Sequence, residues 1–72
     1  MNEKDLSRTL QGEIEEKTGE KVTISVQDGV AILSGRFTTY QSVVDAGHIA
    51  GEFEQVRGVL NEIDYPDKKP FV

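Results

Sequence analysis

The sequence predicts an α+β domain of order α-β-β-α-β: a three-stranded mixed sheet with two helices packed on one face and the other face open. Three observations carry this expectation. Leu6, Leu10 and Ile14 recur at helical spacing, the run Lys21–Gln27 alternates apolar and polar residues up to Asp28-Gly29, and a second helical stripe precedes a last alternating run.

The first helix is expected from Glu3 to Lys17. Leu6, Leu10 and Ile14 form one apolar stripe among Glu13, Glu15, Glu16 and Lys17. Asn2 can cap the start, with Glu3 and Asp5 in the first turn where carboxylates suit the helix dipole, and Gly19 can end it.

Two strands follow, Lys21–Gln27 and Val30–Ser34, joined by Asp28-Gly29. A two-residue Asp-Gly loop is a hairpin signal, because glycine tolerates the positive φ that the tight turn needs. Such a loop also sets the register: Gln27 opposite Val30, Val26 opposite Ala31, Ser25 opposite Ile32 and Ile24 opposite Leu33. One face then carries Val22, Ile24, Val26, Ala31 and Leu33, and is read as the core. The other carries Thr23, Ser25, Gln27, Val30, Ile32 and Ser34.

The second helix is expected from Tyr40 to Glu54, with Thr38 and Gln41 as a capping box and Val43, Ala46, Ala50 and Phe53 as its apolar stripe. Gly47 and Gly51 weaken it by up to about 1 kcal/mol each relative to alanine, unless they serve close packing on the sheet. Val56 and Val59–Tyr65 form the last strand, with Val59, Ile63 and Tyr65 facing one way. The prolines at 66 and 70 end regular structure, so residues 1–65 are expected to make one domain and 66–72 a disordered tail.

Seventy-two residues form at most one domain, and a chain this short buries only about 60% of the surface that its unfolded form exposes. With no cysteine, disulfides and thiolate metal sites are excluded. Eight Lys and Arg against thirteen Asp and Glu leave a net charge of −5, and the cations are scattered except for Lys68-Lys69. That argues against nucleic acid and against anionic membrane as partners. No apolar segment follows Met1–Asp5, so the sequence as written is expected to be cytoplasmic; as part of a longer exported protein it would be periplasmic or in the cell envelope.

The stretch from Val22 to Tyr65 resembles the BON domain, a family found mainly in bacterial envelope and osmotic-stress proteins. The resemblance lies in the hairpin Asp28-Gly29-Val30-Ala31-Ile32-Leu33-Ser34-Gly35-Arg36-Phe37, in Ala46, Ile49, Ala50 and Phe53, and in Val56, Val59, Asn61, Ile63 and Tyr65. One position departs from the family pattern: Gln55 stands where a glycine usually precedes the position of Val56. The resemblance implies a non-catalytic module that attaches to phospholipid membranes or responds to small ligands, with a potassium-binding branch among its members.

Chemistry in the sequence is sparse. The single histidine, His48, has no nucleophile signature near it, and a surface histidine is the simpler reading. Gly29 and Gly35 flank a strand rather than open a helix, so they are read as turn and bulge positions, with Asp28, and not as a phosphate loop. One histidine without cysteine makes no standard zinc site. Glu62 and Asp64 could offer two oxygens to a hard cation, but two solubilising charges are the simpler account.

We therefore expect no catalytic residue, no metal ligand and no cofactor. The informative feature is the uncovered sheet face, where Val30 and Ile32 are apolar, joined by Leu60 if the third strand lies beside the second. It makes a protein partner or self-association the leading expectation. Membrane lipid or a small ligand such as potassium is the alternative that the family resemblance supplies.

Overall fold

The computed structural model describes residues 2–66. Five elements follow one another: α1 (Glu3–Thr18), β1 (Thr23–Gln27), β2 (Val30–Arg36), α2 (Tyr40–Gly51) and β3 (Gly58–Asp64). Apart from Pro66, the expected tail lies outside the described residues.

Helix α1 starts and stops for the reasons its sequence suggests. The Asn2 side chain accepts a hydrogen bond from the Asp5 amide at 2.8 Å, satisfying one of the amides a helix start leaves unpaired. Gly19 ends the helix in the left-handed conformation, φ 72°, and its N–H donates to the Glu15 carbonyl. Leu6, Leu10 and Ile14 are buried together on the face turned to the sheet.

The hairpin has the expected register along its whole length, from Gln27 opposite Val30 to Thr23 opposite Ser34. Asp28 and Gly29 both have positive φ, 51° and 80°, as the favoured two-residue hairpin turn requires. β1 begins at Thr23, two residues later than expected, and the Val22 amide just before it is taken by the Glu15 carboxylate at 3.2 Å. β2 runs two residues further than expected, through Gly35 to Arg36, because β3 continues to pair with it after β1 has ended.

β3 lies parallel to β2 on the side away from β1, so the strand order is β1-β2-β3 and β2 is central. The parallel register sets Ala31 against Val59, Leu33 against Asn61 and Gly35 against Ile63. Both helices lie over this face, α1 mainly on β1, α2 mainly on β3, and each against the other. The core contains Leu6, Leu10 and Ile14 from α1, Val43, Ala46 and Ala50 from α2, and Ala31, Leu33 and Ile63 from the sheet.

Three details correct the sequence-based picture. The cap of α2 is Thr39, whose hydroxyl accepts from the Ser42 amide; the expected Thr38–Gln41 box does not form, since both oxygens of Glu20 hold the Thr38 amide at 2.8 and 3.0 Å and the Gln41 side chain donates to Asp45. α2 stops at Gly51 and not at Glu54, because the next amides turn to nearer carbonyls, Glu52 to Ile49 as well as His48 and Phe53 to Ala50. Phe37 is the largest fully buried side chain, although the sequence reading gave it no core role. It stands just past β2, where its N–H donates to the Asp64 carbonyl at 2.8 Å and closes the far end of the sheet.

Candidate functional site

The face of the sheet opposite the helices is left uncovered by both of them. Successive strand residues point to opposite faces, so the two registers determine what it carries. Next to the hairpin turn come Gln27, Val30 and Gly58; then Ser25, Ile32 and Leu60; then Thr23, Ser34 and Glu62; and at the far end Arg36 and Asp64.

β3 does lie beside β2, and Leu60 is the direct lateral neighbour of Ile32. Val30, Ile32 and Leu60 thus form one patch. Val30 and Ile32 are half-buried by their neighbours, whereas Leu60 keeps 49% of its surface exposed. Gly58 has no side chain to cover Val30, whose Cγ2 lies 3.8 Å from the point a Cβ would occupy. The face is therefore apolar near the turn and charged at the far end, where Glu62, Arg36 and Asp64 stand on adjacent strands.

The turn beside the patch is held from two sides. The Glu3 carboxylate accepts from the Gly29 N–H at 3.1 Å, and the Gly29 carbonyl accepts from the Arg57 N–H at 2.9 Å. The Arg57 side chain lies over Gly29, with its Cγ 3.0 Å from the place a Cβ would take. Asp28 and Gly29 are thus turn residues, as expected. Gly35 is not a bulge: pairing with β3 runs through it unbroken, and its φ of 140° falls where the chain passes close to the Lys21 carbonyl.

Asn61 holds the other side of the site. It is the one polar residue in the core-facing series Val59, Asn61, Ile63. Its Nδ2 donates to the Val43 carbonyl of α2 at 2.9 Å, and its Oδ1 accepts from the Ile63 N–H at 3.3 Å. Gly47 permits this, since a Cβ there would come within 3.2 Å of the Asn61 amide nitrogen. Sequence reasoning named Asn61 only through the family pattern, placed Glu3 only as a first-turn carboxylate of the helix, and gave no role to Arg57. The signal for Asn61 was a polar residue at an apolar register position; for the other two, distant in sequence from the turn, there was none.

Nothing in the described residues assembles reactive groups. No polar or charged residue is buried among them, and no group of three or more His, Asp or Glu could hold a metal ion. His48 is exposed on α2, in a shallow depression with Val44, Gly47, Gly51 and Glu52. Among the described residues no helix is long and apolar enough to cross a membrane.

The described residues thus form a one-sided α+β sheet domain, backed by two helices and with its open face apolar at one end. The BON domain family model matches residues 2–67, and the chain is a member of that family. A search of curated proteins finds no match to it.

Proposed function

We propose that this BON domain is a non-catalytic module that captures a protein partner through the open sheet face, with contacts centred on Val30, Ile32 and Leu60. One observation carries the reading: the three side chains are contiguous on a face that neither helix covers. Burying such a patch stabilises a complex by about 25 cal/mol per Å² of apolar surface before association costs. Glu62, Arg36 and Asp64 would give the contact its polar rim and its orientation.

A second reading, attachment to phospholipid, rests on family membership. The charge balance of −5 weighs against it, because each Lys or Arg near an anionic surface contributes about 1 kcal/mol and this chain has no basic cluster in the described residues.

Ile32→Lys separates the readings. We expect the variant to fold as the wild type does and to lose capture of a partner that, in the wild type, perturbs the amide signals of β2 and β3. A variant that folds and binds unchanged would remove the patch as a contact site. Unfolding would mean that Ile32 is core. Strong co-sedimentation of the wild type with phosphatidylglycerol vesicles at physiological salt would move the reading to lipid.

A further inference from the structure

The two edges of the sheet are finished differently. At β3 the Asn61 side chain takes the Ile63 amide and ties the strand to α2, and Glu62 and Asp64 add charge. β1 has neither device. Thr23–Gln27 contains no charge, no proline and no bulge, the features that normally keep an edge strand from pairing.

The hairpin register shows which groups that edge presents. Gln27, Ser25 and Thr23 form the hydrogen-bonded pairs with Val30, Ile32 and Ser34, so the N–H and C=O groups of Ile24 and Val26 point away from β2. Two carboxylates of α1 bracket this segment, Glu15 on the Val22 amide and Glu3 on the Gly29 amide. Among the described residues no side chain takes the amide of Ile24 or Val26 between them.

We infer that β1 is a self-association edge, and that a second copy of this chain adds its own β1 antiparallel to it, making one continuous sheet about a two-fold axis at Ser25. The register follows from the geometry. Only Ile24 and Val26 have outward groups, so Ile24 of one copy must pair with Val26 of the other, and Ser25 then faces Ser25 as a non-hydrogen-bonded pair.

Charge agrees with this register. The paired strands themselves carry no charge, and the Glu15 and Glu3 carboxylates stand only at their two ends. One step beyond the strand, Lys21 of each copy comes opposite the Asp28-Gly29 turn of the other and offers its cation to Asp28, next to Val22 with the Glu15 carboxylate on its amide. The symmetry makes this opposite-charge contact twice. The dimer also joins the two open faces into one surface, so the inference extends the proposed binding face without depending on it.

The chain has no cysteine, so a single introduced one reports on the register. Opposed non-hydrogen-bonded residues have Cα atoms about 4.5 Å apart, within the ~4.4–6.8 Å that a disulfide spans. Ser25→Cys should therefore crosslink to a dimer under mild oxidation. Thr23→Cys should not, because its two copies would stand about 13 Å apart along the strands. In analytical ultracentrifugation the wild type should show a concentration-dependent dimer, and Ser25→Lys should raise its Kd about tenfold or more with an unchanged circular dichroism spectrum. Ile32→Lys should leave the Ser25→Cys crosslink intact. Ser25→Cys crosslinking no faster than Thr23→Cys would overturn the inference. So would a dimer that Ile32→Lys abolishes and Ser25→Lys does not, which would place association on the sheet face, or a wild type that remains monomeric at every concentration tested.

Discussion

Leu33 and Ile32 are neighbours in β2, both branched and apolar, and the fold uses them differently. Leu33 is fully buried beneath the helices, between Ile24 and Asn61. Ile32 stands half-buried on the other face, between Ser25 and Leu60, with no element above it. The alternation of a strand gives adjacent residues opposite surroundings, and two helices can cover only one side of the sheet. Apolar character alone therefore does not assign a residue to folding or to binding; the face does.

The largest effect should come from the covered face. Leu33→Ala removes a side chain that the surrounding structure can replace only in part, at a cost of about 2–5 kcal/mol. A domain of this size has a stability near the low end of about 5–15 kcal/mol, so the loss takes a large share of it. We expect the melting temperature to fall by at least about 8 °C. A variant melting within a few degrees of the wild type would contradict the assignment of the two faces.

The turn that joins β1 to β2 keeps the faces apart, since a slip of one residue would exchange them. Gly29 has φ 80°, and the Arg57 side chain occupies the space beside it. Gly29→Val should cost about 1–3 kcal/mol from backbone strain, read as a shifted midpoint in urea. The Arg57 side chain can move aside, but the backbone cannot reach a relaxed φ without giving up the tight turn. An unchanged midpoint would show that another loop geometry fits equally well.

How far this was legible in the sequence depended on how local the cause was. The α1 stripe, its Asn2 and Gly19 caps, the Asp28-Gly29 turn and the hairpin register rest on residues close in the chain, and all were readable there. The end of α2 was misread because Phe53 continues the apolar spacing after the helical hydrogen bonding has changed. Phe37 was missed because it follows the strand and no longer belongs to its alternation. The candidate face was legible in β1 and β2, but Leu60 depended on where β3 would pair. The contacts of Glu3, Glu20 and Arg57 lay beyond sequence reasoning, since each joins segments that only the finished fold brings together.

The smallest effect should come from Leu60. With 49% of its surface exposed and Ile32 as its lateral partner, it contributes what a cross-strand apolar pair gives, about 0.2–1 kcal/mol. Leu60→Ser should therefore shift the urea midpoint only slightly while removing the most exposed apolar side chain of the patch. Paired with Leu33→Ala, it tests the contrast between the faces. If the two variants lost stability to a similar degree, Leu60 would have to be packed against something, and the face would not be open. If Leu60→Ser is nearly silent in stability yet weakens partner capture, one strand pair stabilises the fold through one face and binds through the other. That outcome would also separate binding from folding, because the lost capture could not be ascribed to a damaged core.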